Sequence, residues 1–392
     1  MDNIFAPRLN RIPPYLFSEL DRLKAQLGRG LIDLGEGNPD LPPARALLAR
    51  LQQALKRPEN HRYPTYAGKP AVRSRLAGWY HQRFGVRLDP ENEVLMLLGS
   101  KEGAAHLIWA LCGDGDQVGV TDPGYPVYFN NTLLAGATPV SIPLEEKNRF
   151  LPDLNLIDRL GPRLKLLCLN FPGNPTAAVA PLEFYQEVVR LALKHGFYVI
   201  NDNVYSELWF DTPPPSILQV PDARGCAIEF HSLSKTFSIP GWRIGMAAGN
   251  PDILRALLKI KQNVDSGPFG AVQDAAAWAL QNYRKLAEPV RRAYARRMKV
   301  FVRALQSVGW ELTPPRATFY LWARLPERWQ QQVNGSRSFA FVLALLENCR
   351  VVAAPGAGFG RYGEGYIRFA LIADEKRLRT AARRIGRWLK TV

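Results

Sequence analysis

The stretch Ser232-Leu233-Ser234-Lys235, followed by Gly241-Trp242-Arg243-Ile244-Gly245, carries more information than any other part of the chain. A lysine stands after a short apolar run, Ala227 to Phe230, with hydroxyls three residues and one residue before it. An arginine framed by glycines follows eight residues later. This is an amine nucleophile beside an anion cradle. An amine that holds a carbonyl compound bearing a phosphate needs both. The amine attacks the carbonyl, and the guanidinium forks onto phosphate oxygens.

Outward from this stretch, short apolar runs alternate with helical patterns, so an α/β domain with a mostly parallel sheet is expected. Candidate strands are Val94–Leu98, Val118–Thr121, Leu164–Leu169, Tyr198–Ile200, Ala227–Phe230 and Ile244–Ala248. Amphipathic helices lie between them, as the spacing of Phe184, Val188 and Leu191 shows, and likewise that of Val342, Leu345, Leu346 and Cys349. A long helical pattern runs from about Ala271 to Leu305, with Pro289 as its main interruption. The apolar run Arg316-Ala317-Thr318-Phe319-Tyr320-Leu321-Trp322 then reads as a strand. The expected division is a large cofactor domain over residues 47–285 and a smaller domain built from both termini, 1–46 and 286–392.

A chain of 392 residues, 47% apolar and 22% charged, can bury the cores of two domains. No apolar run reaches membrane-spanning length, and the start, Met1-Asp2-Asn3-Ile4-Phe5, lacks a secretory pattern. A soluble cytoplasmic protein without a membrane partner is expected. Cys112, Cys168, Cys226 and Cys349 are scattered and form no C-x-x-C, so neither a metal site nor a disulfide framework is expected. The formal charge of +16 comes from 37 arginines and 14 lysines spread along the whole chain. The clusters Arg291-Arg292, Arg296-Arg297 and Arg383-Arg384 lie on helix-like stretches and read as solvated faces rather than as a nucleic-acid site.

Other stretches add chemistry. Leu98-Gly99-Ser100-Lys101-Glu102-Gly103 runs from a strand into a helix, where backbone N–H groups and the serine hydroxyl make a phosphate seat. His106 in that helix reads as a packed residue. Asp202 and Tyr205 follow the strand Tyr198–Ile200, and an aspartate there is by itself commonly a turn former or cap. Asn170-Phe171-Pro172-Gly173-Asn174-Pro175-Thr176-Ala177 alone is an ordinary turn. Tyr125, after Asp122-Pro123-Gly124, is alone an aromatic that could be core. Arg368, in Gly363-Glu364-Gly365-Tyr366-Ile367-Arg368-Phe369, sits in a stretch too apolar for a surface ion pair and suits a carboxylate partner.

In this order, the stretches resemble the signatures of the pyridoxal-phosphate (PLP) aminotransferases of fold type I, class I/II. The likeness is closest to the alanine/glutamate-type and LL-diaminopimelate enzymes, and it runs from about residue 15 to Arg368. It implies a large α/β domain with a mostly parallel sheet of seven-stranded type, plus a smaller α+β domain formed by both termini. It implies pyridoxal 5'-phosphate as cofactor and ping-pong transfer of an α-amino group between an L-amino acid and a 2-oxo acid. Lys235 would form a Schiff base with the cofactor and, once displaced, move the substrate proton. Asp202 would keep the pyridine nitrogen protonated, which makes the ring electron-withdrawing, and Tyr205 would contact the ring hydroxyl. Asn174 would bond the ring oxygen and approach the substrate carboxylate. Tyr125 would stack on the ring. Ser100, Lys101, Ser232, Ser234 and Arg243 would complete the cofactor site. Ala177 departs from the family's N-P-T-G loop, where glycine is usual. On the substrate side the likeness implies Arg368, Asn174, Tyr15 and Gly37, the last within Leu34-Gly35-Glu36-Gly37-Asn38-Pro39-Asp40. Tyr63, in Tyr63-Pro64-Thr65-Tyr66-Ala67-Gly68, matches a tyrosine that reaches the neighbouring subunit's phosphate, so a homodimer with shared active sites is expected. Ser266, in Asp265-Ser266-Gly267-Pro268, matches a second such residue.

The substrate is less defined. In aspartate aminotransferases a partner arginine, four residues before the serine aligned with Ser266, holds the second carboxylate. Gln262 stands there in this chain, so aspartate is not expected as the preferred donor. Glu36 falls where the family often has an apolar residue. It reads equally as a partner for a distal ammonium and as a loop contact facing away. A PLP lyase, such as a carbon–sulfur lyase, shares the cofactor site and is the rival reading. A PLP-fold regulator would carry a winged-helix domain first, and residues 1–46 are too few for one.

Overall fold

The computed structural model describes residues 4–13, 22, 24, 30–327, 329 and 335–391. The two-residue β1 (Ile32–Asp33) is followed by seven strands of one sheet: β2 (Val94–Leu97), β3 (Gln117–Asp122), β4 (Thr138–Pro143), β5 (Leu164–Leu169), β6 (Tyr198–Asp202), β7 (Ala227–Ser232) and β8 (Gly245–Gly249). Their order across the sheet is β2-β8-β7-β6-β5-β3-β4. Only β8 runs against the others, pairing antiparallel with both β2 and β7. All but the edge strand β4 are largely buried on both sides, as a sheet covered by helices on both faces requires. Met96, Leu167, Leu169 and Val199 point into one core. Their neighbours Leu95, Leu97, Leu166, Cys168 and Ile200 point into the other.

β9 (Tyr320–Arg324), β11 (Ala354–Pro355) and β12 (Tyr366–Ala370) form a second, antiparallel sheet in the order β11-β12-β9. β1 pairs in parallel with β10 (Val351–Val352), so the N-terminal segment joins elements from the C-terminal part. The helix Tyr283–Gln306 links the cores. Leu286 and Ala287 belong to the core on one face of the large sheet. Val290 and Tyr294 pack with Tyr205, Phe319 and Tyr320 at the junction. Met298, Phe301 and Leu305 enter the core beneath the second sheet.

Several elements differ from the sequence expectation. β6 and β7 each run two residues further, so Asp202 and Ser232 close their strands. β4 is an additional strand at the sheet edge. The long helical pattern breaks at Asn282, not at Pro289. Asn282 leaves the helical region at φ −112° and ψ 22°, and its side-chain amide donates to the Trp278 carbonyl at 2.9 Å. Pro289 sits inside the second helix. It and Lys285, whose carbonyl loses its amide partner, are both exposed, so water can serve that carbonyl. The run Arg316–Trp322 becomes a strand only from Tyr320, because Thr318 takes a left-handed backbone at φ 67°. Ala317 forms a single bridge to Trp209 instead.

Candidate active site

The parallel strands present their C-terminal ends toward the second sheet, where open α/β sheets bind ligands. A cavity of about 560 Å³ lies there, lined by Lys235, Asp202, Tyr205, Asn174, Ser100, Lys101, Tyr125, Ser232, Ser234, Arg243, Gly37 and Arg368. These residues span more than three hundred positions of sequence and come from five strand ends, the N-terminal segment and β12.

Ser232 closes β7 and caps the short helix Leu233–Thr236, its Oγ accepting from the Ser234 N–H at 3.2 Å. That turn presents Lys235, whose Nζ donates to the Gly37 carbonyl at 3.0 Å and lies 5.7 Å from the Phe319 ring. Burial first, then the Arg243 and Arg368 charges, bring the Lys235 ammonium down to about 8. Glycine at 37 leaves room for Tyr320: a Cβ there would lie 2.2 Å from the Tyr320 hydroxyl.

Arg243 has a left-handed backbone at φ 50°, and its guanidinium donates to the carbonyls of Pro240 and Leu98 at 3.0 and 3.3 Å. It crosses directly over Gly99, where a Cβ would stand 2.4 Å from Nη2. A Cβ at Gly245 would stand 2.8 Å from the Ser100 nitrogen. Glycines therefore let the guanidinium and the start of the helix Ser100–Leu111 share one small space. No side chain caps that helix start, so its N–H groups suit an anion.

Asp202 ends β6 in the cavity floor. Tyr128 donates to its Oδ2 at 2.5 Å, and Asn170 donates to its carbonyl at 2.5 Å. Its Oδ1 is buried without a partner. Burial pushes the carboxyl up to about 7, the Tyr128 bond opposes this, and Glu229 adds to it. Tyr205 donates to the Tyr320 hydroxyl at 3.1 Å. Arg368 is buried beside Tyr320 and Phe359, 4.3 and 4.8 Å from their rings. It donates to Asn174 Oδ1 at 2.7 Å and to the Gly35 carbonyl at 2.6 Å, and its Nε is unpartnered. Ala177 holds the left-handed backbone, φ 57°, that the departure from glycine put in question. Tyr125 lines the cavity near Tyr128, ring centres 6.0 Å apart.

Tyr15 lies outside the described residues. Tyr63 is 96% exposed and is not among the lining residues of its own chain's cavity. Its loop packs against the loop carrying Ser266, for a Cβ at Gly267 would meet the Thr65 carbonyl at 2.2 Å. Gln262 is exposed. Glu36 lines the cavity, and its Oε1 accepts from Lys24 at 3.1 Å. His106 is buried in its helix, against Glu102. Tyr128, Tyr320 and Asn170 are site residues that sequence reading did not assign. Tyr128 falls one helical turn after Tyr125, a spacing that was available.

The donor set fits a phosphorylated pyridine aldehyde. A ring nitrogen carrying a proton would give the orphaned Asp202 Oδ1 its missing donor. The unpartnered Ser234 Oγ, Ser232, Arg243 and the helix start would hold the phosphate. Lys235 would meet the aldehyde, and Tyr125 and Tyr205 would bound the ring. No helix among the described residues is long and apolar enough to cross a membrane.

The profile of the aminotransferase class I and II family matches residues 29–385. Among curated relatives, an LL-diaminopimelate aminotransferase of Aquifex aeolicus is 47% identical over 386 residues, covering 97% of this chain and 98% of that protein. One from Nitratidesulfovibrio vulgaris is 44% identical, with 97% and 98% covered. Among solved structures, substrate-bound BacF from Bacillus subtilis superimposes with a TM-score of 0.93 at 34% identity, covering 98% of both chains. A probable N-succinyldiaminopimelate aminotransferase from Thermus thermophilus gives 0.88 at 37% identity, covering 95% and 99%.

Proposed function

Because this chain belongs to the aminotransferase class I and II family, we propose that the amino donor of its PLP-dependent transamination is LL-diaminopimelate. The 47% identity to the Aquifex aeolicus enzyme across nearly the whole chain carries this reading. The acceptor is a 2-oxo acid.

When bound, the coenzyme supplies an electron sink for the carbanion left by loss of the donor's α-proton. The remaining tasks fall to side chains of this protein. Arg243, Ser232, Ser234 and the N–H groups near Ser100 hold the phosphate. Asp202, whose other oxygen is fixed by Tyr128, keeps a proton on the ring nitrogen. Arg368 exchanges its bonds to Asn174 and Gly35 for a bidentate grip on the donor's α-carboxylate. Lys235 accepts the α-proton through Nζ and returns it on the way to product. With its pKa lowered to about 8, Lys235 supplies enough neutral amine to act as a base near neutral pH.

We also read the protein as a homodimer. Tyr63 and Tyr66 are exposed, as are Phe269 and Val264, on or next to the two loops that the family likeness directs to a partner. The chain divides functionally at 47–285 against 1–46 with 286–392. Four buried free cysteines suit the cytoplasm.

A panel of amino acids tests the donor. Each is added to coenzyme-loaded protein without 2-oxo acid, and the fall of the bound coenzyme's visible absorbance is timed. LL-Diaminopimelate should exceed alanine, glutamate and aspartate in kcat/KM by at least about tenfold. A faster reaction with aspartate refutes the assignment. In the same panel Glu36→Ala should narrow that margin, since a distal ammonium competes with Lys24 for Glu36.

A further inference from the structure

Behind the cavity wall lies a buried ion cluster that the chemistry above does not use. Lys261 is fully buried, at 0% exposure. Its Nζ stands 3.1 Å from Glu102 Oε1 and 3.0 and 3.2 Å from the two oxygens of Asp265. His106 Nδ1 approaches the same Glu102 oxygen at 2.6 Å. Glu102, His106 and Asp265 place ligand atoms within 4.8 Å of one another, but the Lys261 ammonium already bonds both carboxylates. The cluster is closed by its own cation and does not await a metal.

Its other end reaches the cavity. Glu102 Oε2 accepts from the Leu98 backbone N–H at 2.9 Å, while the Leu98 carbonyl accepts from Arg243 Nη2 at 3.3 Å. The backbone of Leu98 is thus held on both sides. The next residue is Gly99, at φ 90°, the turn into the helix that begins at Ser100. Although burial works against it, His106 and Lys261 hold the Glu102 carboxyl below its ordinary value, so it stays an acceptor. A buried lysine is costly unless paired, and here the pairing fixes a carboxylate that grips one backbone N–H.

We propose that Glu102, locked by Lys261, is a positioning residue for the phosphate seat. It sets the Leu98–Gly99 backbone so that Arg243 and the Ser100 N–H face the same anion. The proposal rests on the coenzyme reading above, and its test separates the two.

Dissociation constants are measured for pyridoxal 5'-phosphate and for pyridoxal, which lacks the phosphate, by absorbance and tryptophan quenching. If the unaltered protein does not prefer the phosphorylated form, the coenzyme reading itself fails. Given that preference, Glu102→Ala should reduce it by about tenfold, the worth of one buried hydrogen bond to a charged group. Pyridoxal affinity should be unchanged. Glu102→Gln should restore the preference, because its amide oxygen can accept from Leu98. Equal weakening of both ligands in Glu102→Ala, or an unchanged ratio, overturns the proposal. Should Glu102→Ala not fold, Lys261→Met is measured in the same way. It should lower the ratio too, and an unchanged ratio there overturns the proposal equally.

Discussion

Burial, reinforced by Arg243 and Arg368, lowers the Lys235 ammonium to about 8, against about 10.4 for a free lysine. The sign has two consequences. Between those values the unfolded lysine holds a proton that the folded one has lost, so this group adds stability to the coenzyme-free protein as pH rises through that window. Only the neutral amine attacks an aldehyde, so covalent attachment of coenzyme should accelerate with a midpoint near pH 8. Arg368→Gln removes a repelling charge and should move that midpoint upward. Stopped-flow absorbance across pH measures both, and a midpoint near 10.4 in the unaltered protein contradicts the account. Lys235 and Arg243 were legible because they share a short local pattern whose residue types make sense together, whereas Asp202 and Asn174, ordinary turn residues by themselves, were legible only through their order in the family likeness. Tyr128 and Tyr320 were not. They act across 74 and 115 residues, on Asp202 and Tyr205; the one-turn spacing from Tyr125 could have placed Tyr128 near the site, but nothing local encodes which residue either hydroxyl meets.

At the scale of elements, the close approach of Gly37 to β9 joins the substrate side to the lysine. Gly37→Ala would drive a methyl group into the Tyr320 hydroxyl and displace the carbonyl that Lys235 holds. It should cost about 1–3 kcal/mol of stability and raise the donor KM by about tenfold. Adding Tyr320→Phe removes the nearest atom and should recover part of both, which thermal melts and half-reaction titrations would register. No recovery would mean that the clash is not the cause. Six of the seven large-sheet strands were legible as apolar runs. β4 was missed because Pro139 and Pro143 interrupt it and its edge position leaves it partly polar. The break at Asn282 was missed because proline is the louder signal, yet Pro289 faces solvent and is tolerated. A side chain bonding back onto its own helix leaves little trace in composition.

At the scale of the molecule, the proposed homodimer would make the active site a property of two chains, with the exposed Tyr63 of one reaching the other. On that proposal, Lys235→Ala and Tyr63→Ala each remove one contribution to it, from opposite subunits. Mixed after co-expression, the two inactive variants should regain about a quarter of full activity. Half of the dimers are then mixed, and each mixed dimer has one intact site. No regain, with mixed dimers verified by mass, would mean that the sites are not shared. Of the charges behind the +16, Lys24, Lys101, Lys235, Arg243 and Arg368 line the cavity, and others pair with carboxylates elsewhere, as Arg83 does with Glu207 and Arg297 with Asp40. Lys235 is the proposed anchor of the coenzyme. Purified protein saturated with pyridoxal 5'-phosphate is reduced with borohydride, digested and mapped by mass spectrometry. The account predicts a single phosphopyridoxyl adduct on the peptide carrying Lys235, absent in Lys235→Ala. An adduct on another lysine, or none, would contradict it.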